Sequence, residues 1–232
     1  QEIAQKRALS PTNGNLYAYA ANNPVHYIDP DGRKILLCNS YFNMSDYFTT
    51  NLGNSSSIKI SQEGCYITCF ANILKTAFDI YEKSYVNLSY NTPKGINNNK
   101  SLFNKDSAEL NGRTKSMNSI FGEGNWDYWT AKGQGGDDKL LQKLKEYSQD
   151  IDGYMIVGIF DLSKAEQDVK NHMVLINGMP IDDGVFENIG ITSNGDIRRL
   201  ADQTKANEYN IKNLKEFRVI KVTDFYKCTQ GE

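Results

Sequence analysis

The stretch Tyr154-Met155-Ile156-Val157-Gly158-Ile159-Phe160 sets the narrowest limits on the fold. Its near-continuous apolar character marks a well-buried strand, and its length is that of a strand rather than a membrane span. Three further segments share its region. Asn171-His172-Met173-Val174-Leu175-Ile176-Asn177-Gly178 reads as a second buried strand with His172 at its start. Val185 to Ile191 reads as a third. Phe217-Arg218-Val219-Ile220-Lys221-Val222 alternates as a half-exposed strand does. Ahead of them, Asp137 or Asp138 caps a helix whose core face is Leu140, Leu141, Leu144 and Tyr147.

A second pattern precedes this sheet. Within Ser61-Gln62-Glu63-Gly64-Cys65-Tyr66-Ile67-Thr68-Cys69-Phe70-Ala71-Asn72-Ile73-Leu74, apolar residues recur at Ile67, Phe70, Ala71, Leu74 and then Phe78. That spacing predicts an amphipathic helix from Cys65 to about Tyr81. Helices followed by antiparallel strands make the fold class α+β, with the cysteine-bearing helix packed on the sheet. Cys65 then sits at the first turn, where unpaired amides and the helix dipole stabilise a thiolate. The alternative role for such a cysteine is a small buried hydrophobe. Gly64 permits a tight entry to the helix, and Gln62 lies three residues before the thiol, where its amide can face an oxyanion.

The chain has two histidines, His26 and His172, and His26 belongs to a turn-rich segment, so His172 is the base available to a site in the main domain. A cysteine and a histidine distant in sequence and close in space are what thiol catalysis needs. Asn188, on the next expected strand, is the preferred residue to orient the imidazole; Asp182, Asp183 and Asp196 compete for that place.

The rest of the chain is less informative. Asn91–Lys100 reads as a surface loop, and Lys105–Ile120 has weak helical spacing with Ala108, Met117 and Ile120 as buried positions. The aromatics of Phe121–Trp129 line a groove or anchor a long loop. Gly133–Gly136 lacks the third glycine of a phosphate-cradling loop. With 232 residues, 39% of them hydrophobic, the chain is ample for one domain with a real core. A net charge of -2 gives no footprint for nucleic acid, and no apolar run reaches membrane-spanning length. Cys38, Cys65, Cys69 and Cys228 are too scattered for a disulfide framework and read as reduced. A zinc site of Cys65, Cys69, His172 and Cys38 or Cys228 lacks a second tight pair, so neither metal nor cofactor is expected.

Two resemblances extend this reading. Asn15-Leu16-Tyr17-Ala18-Tyr19-Ala20-Ala21-Asn22-Asn23-Pro24-Val25-His26-Tyr27-Ile28-Asp29-Pro30-Asp31-Gly32-Arg33 resembles the end of the Rhs repeat-associated core, over residues 10–33. In that family a shell of tyrosine-aspartate repeats encloses a variable C-terminal effector that begins just after this motif. The resemblance implies a polymorphic toxin from Lys34 onward, delivered by a secretion machine into the cytoplasm of a target cell and matched by an immunity protein. It also implies that any address belongs to the upstream shell. The organisation expected is a core tail over 1–33, a transition over 34–57 and an effector domain over 58–232.

The second resemblance covers about Ile58 to Val222. The cysteine opening a helix, the histidine opening a strand that ends in glycine, and a following short strand with Asn or Asp are similar to papain-like cysteine peptidases, especially the bacteriocin-processing branch. By position, Cys65 resembles the nucleophile, His172 the base, Asn188 the orienting residue and Gln62 the oxyanion glutamine. Tyr66 replaces the glycine common after the nucleophile, and Gln62 lies closer to Cys65 than in many relatives. The activity implied is acyl transfer on a protein or peptide substrate. The same apparatus serves a deamidase or transglutaminase, while a nuclease toxin or a non-catalytic binding domain would not need Cys65.

Overall fold

The computed structural model describes residues 41–81, 88–130, 137–149, 154–161, 171–176, 190–193, 196–199 and 211–221. The Rhs-like stretch and residues 34–40 therefore lie outside the described residues, as do His26, Cys38 and Cys228.

The helices are α1 (Ile60–Glu63), α2 (Cys65–Tyr81), α3 (Pro93–Asn98), α4 (Arg113–Phe121) and α5 (Asp137–Gln149). The strands are β1 (Trp126–Thr130), β2 (Tyr154–Asp161), β3 (Asn171–Ile176), β4 (Gly190–Ser193), β5 (Asp196–Arg199) and β6 (Leu214–Lys221). They form one sheet in the order β1-β6-β2-β3-β4-β5, with every pairing antiparallel. The class is α+β.

The apolar run of β2 lies inside the sheet, between β6 and β3. Alternation along the strands divides the core into two layers. Met155 and Val157 of β2, Met173 and Leu175 of β3 and Ile220 of β6 pack with Ile67, Phe70 and Leu74 of α2 and Met117 and Phe121 of α4. Ile156, Phe160, Val174, Ile176, Phe217 and Val219 point the other way, against Leu140 and Leu144 of α5. On that side Trp129 stacks on Phe217, with ring centroids 5.4 Å apart, and Tyr147 closes on Trp129 at 4.7 Å. On the first side Phe70 meets Phe121 edge-to-face at 5.2 Å, joining α2 to α4.

Several expectations are corrected. Trp126 and Trp129 belong to an edge strand rather than a loop, because Trp126–Thr130 pairs in full with Glu216–Ile220. The expected loop at 91–100 contains α3, capped by Thr92 accepting from the Gly95 amide and anchored by buried Pro93, Ile96 and Asn97. In the weak helical stretch, only the part from Arg113 is helical; Phe103 and Leu110 instead form an antiparallel bridge. Met117 and Ile120 are buried there as expected, and Ala108 is buried outside the helix. The third expected strand is described from Gly190, and β5 was not anticipated.

The segment read as a transition is part of the core over its described residues. Leu52 is fully buried, and its amide donates to the Ile58 carbonyl at 2.8 Å. Asn97 binds this segment on both sides, accepting from the Gly53 amide at 2.6 Å and donating to the Asn51 carbonyl at 2.9 Å. Asn72 of α2 likewise accepts from the amides of Tyr41 and Phe42. Leu52→Ala is therefore expected to cost about 2–5 kcal/mol in chemical denaturation, the range for a buried leucine. A loss below about 1 kcal/mol would show that residues 41–57 only drape the fold.

Candidate functional site

The entry to α2 is built by close packing. The Gly64 amide donates to the Ile60 carbonyl at 2.7 Å, ending α1. A Cβ on Gly64 would lie 2.5 Å from that oxygen and 2.6 Å from Ile60 Cγ2. Gly64 has a negative φ, -81°, so the close approach rather than a left-handed backbone requires glycine. The Gly64 carbonyl then accepts from both the amide and the hydroxyl of Thr68, at 3.1 and 2.9 Å, and this fixes the first turn.

Cys65 is the first residue of α2, half-buried, and the backbone amide of Met173 faces its sulfur. One turn on, the Cys69 thiol donates to the carbonyl of the same Met173 at 3.4 Å. The two sulfurs thus bracket one residue of β3, and Cys69 is buried in the core. Tyr66 is also engaged: its hydroxyl donates to the Ala108 carbonyl at 2.5 Å and ties residues 103–110 to the start of the helix. Burial pushes the Tyr66 phenol far up, with the charges of Cys65, Glu63 and Glu109 adding to it.

Electrostatics at the thiol run against the expected thiolate. Removal from water pushes Cys65 up from the ordinary thiol value, although the amides of Met173, Tyr66 and Cys65 pull it down; Glu63 adds a smaller upward push. A helix start contributes on the order of 0.3–1 kcal/mol at an exposed site, less than taking a thiolate out of water costs. At rest Cys65 is a neutral thiol.

His172 is the second residue of β3 and pairs with Phe160. Burial alone lowers it from 6.5 to about 4, so its imidazole is neutral at pH 7. The pleat places it on the face of Val174, Ile176 and Phe160, whereas Met173 and Leu175 face α2. The structure therefore brings the strand of His172 to the thiol and starts the imidazole on the opposite side of that strand.

Gln62 is placed differently from the expectation. It is exposed on α1, and its Oε1 accepts from the Lys59 amide at 2.7 Å, capping its own helix. Asn188, Asp182 and Asp183 lie outside the described residues. Asp196 opens β5 opposite Ser193, two strands away from β3. Among the described residues no group of three His, Cys, Asp or Glu side chains could hold a metal ion. No described helix is long and apolar enough to cross a membrane.

What sequence reasoning missed is the charged cluster on the α2-facing side of β6. Glu216 and Arg218 are both buried there, and Arg113 at the start of α4 reaches Glu216 at 2.9 Å. The isolated alternation of charged and apolar residues in β6 was the available signal. No family model matches the chain, and no curated protein matches it.

Two pH effects follow. Alkylation of Cys65 by iodoacetamide should keep rising above pH 9, beyond the ordinary thiol value, when followed by site-resolved mass spectrometry. A plateau near pH 7 would mean that the thiolate forms easily. The depressed His172 favours the folded state above pH 6.5, and that contribution is lost as pH falls towards about 4. Melting curves should therefore drop across this window in the wild type and drop less in His172→Gln. Equal pH dependence in the two proteins would remove His172 as the cause.

Proposed function

We propose that this chain carries the effector of an Rhs-type toxin and that the effector is a papain-like thiol peptidase or a close acyl-transfer relative. The observation that carries the reading is the contact between Cys65 and Met173. It joins a cysteine at a helix start to the strand that bears His172. The Rhs-like residues 10–33 support the toxin part through sequence alone.

In this reading the resting site holds a neutral thiol and a neutral imidazole. His172 is in the protonation state a general base needs. It takes the thiol proton as sulfur attacks the substrate carbonyl, then gives that proton to the leaving amine. Water hydrolyses the thioester; ammonia leaves first in a deamidase, and an amine replaces water in a transglutaminase. The helix-start amides of Cys65 and Tyr66 already face the sulfur and supply donors for the oxyanion. The mechanism requires the imidazole to reach round the beginning of β3, and Asn188 is the proposed residue that would orient it. A protein or peptide substrate, a cognate immunity protein and delivery into a target cytoplasm belong to the same proposal.

The raised thiol and the pleat at His172 favour a second reading, a non-catalytic binding domain on the same scaffold. Expression of the chain beside Cys65→Ala and His172→Ala variants separates the two. Thiol catalysis predicts that both substitutions abolish toxicity, a loss of several orders of magnitude in rate, while Cys69→Ala leaves most of it. Undiminished toxicity in a folded Cys65→Ala protein would falsify the enzyme reading.

A further inference from the structure

The face that carries Cys65 also carries a buried charged cluster. Glu216 and Arg218 of β6 are 7% and 9% exposed. Glu216 uses both oxygens: Oε1 accepts from Arg218 Nε at 2.6 Å, and Oε2 pairs with an Arg113 terminal nitrogen at 2.9 Å. Two guanidiniums share one carboxylate, so among the described residues the cluster carries one more positive charge than negative. Apolar residues in these positions would pack the sheet at least as well, because buried ions are costly to desolvate. Arg113 also opens α4, where the helix dipole disfavours a cation, and the first turn contains no acidic residue.

Arg113 is the outlet of this cluster. Its side chain is 34% exposed, and its guanidinium carbon lies over the Tyr128 ring, 3.8 Å from the centroid. That contact and the pair with Glu216 hold the fork in position. Among the described residues Glu216 is its one anionic partner, and the partly exposed fork has further N–H donors beyond the one spent on that pair.

The sheet register relates this arginine to the thiol. Met173 is opposite Ile159, and Ile159 is opposite Glu216. These three residues form one row on one face. Cys65 lies against the first of them, and Arg113 pairs with the last while its guanidinium lies by Tyr128 on β1, one strand further out. Two to three strand spacings separate the thiol from the fork, about 10–14 Å. Ile159, between them, is apolar and only partly buried.

We propose that Arg113 binds a carboxylate on the substrate attacked by Cys65, making the site selective for acidic peptides. The inference rests on the thiol-enzyme reading and names its substrate class. An extended peptide advances about 3.3 Å per residue, so the acidic residue lies about three or four positions from the attacked carbonyl. Glu216 and Arg218 are positioning residues that hold the fork in place.

Two alkylating probes test this without a known substrate: the iodoacetamide of 4-aminobutyrate, which carries a carboxylate, and its neutral primary-amide counterpart of equal length. Their rates at Cys65 are compared in alkaline buffer, each normalised to 2-mercaptoethanol. The wild type should prefer the acidic probe by about tenfold, the effect of one charge-assisted hydrogen bond. Arg113→Gln should bring the ratio to about one, and high salt should lower it in the wild type. A wild-type ratio of one, or a preference that survives Arg113→Gln, overturns the proposal. If Arg113→Gln does not fold, salt decides: a wild-type preference unchanged at high salt overturns it. Toxicity that persists in Cys65→Ala rejects the enzyme reading instead and is a separate result from this ratio.

Discussion

A sheet whose central strand is apolar on both faces has to be covered twice, and the two covers are unequal. The α5 side is an aromatic and aliphatic layer in which Trp129, Tyr147 and Phe217 interlock. The α2 side has to accommodate more: a long helix, a second helix, irregular chain from residue 41 onward, and the charged residues of β6. The candidate site and the buried charges share that second side, which is assembled from separate pieces that meet at edges. The helix start, residues 103–112 and the row Met173–Ile159–Glu216 converge there.

The depth to which this was legible in the sequence follows from how local each signal is. The helix from Cys65 to Tyr81 needs only its own spacing, and α5 shows its buried face through Leu140 and Leu144. The apolar runs of β2 and β3 mark themselves. Trp126–Thr130 does not, because an edge strand bears few aliphatics and its assignment depends on pairing with β6, far along the chain. Helix α3 escaped for a related reason: Asn97 and Asn99 read as loop residues, yet their side chains bind backbone and neighbouring side chains and so replace apolar contacts. At the site, Cys65 and the strand of His172 were legible. The face of His172 was not, since one position in the pleat reverses it.

The thiol illustrates a contest that residue type and helix position do not decide. The start of α2 supplies the amides of Cys65 and Tyr66, and β3 adds that of Met173. All three favour the charged sulfur. Enclosure by α2, β3 and Tyr66 opposes them and wins. In the proposed enzyme a thiol held in this way would need a proton acceptor at the moment of attack. Gln62 shows the same lesson at smaller scale: an amide three residues from the thiol is spent on capping Lys59 instead.

The paired side-chain amides Asn72 and Asn97 have a consequence for how the molecule opens. Each imitates a neighbouring strand, offering a carbonyl to backbone N–H groups and an NH₂ to a backbone carbonyl. The chain from 41 to 57 is thus docked at Tyr41–Phe42 by Asn72 and at Asn51–Gly53 by Asn97, where Leu52 is the buried apolar peg, and Asn54 ties it further to the carbonyls of residues 100–107. Such a segment can lift away as a unit while the sheet stays closed, a sub-global opening rather than fraying from one end. In hydrogen exchange, the amides of Tyr41, Phe42 and Gly53 would then share one opening free energy, to which two asparagines of other helices contribute.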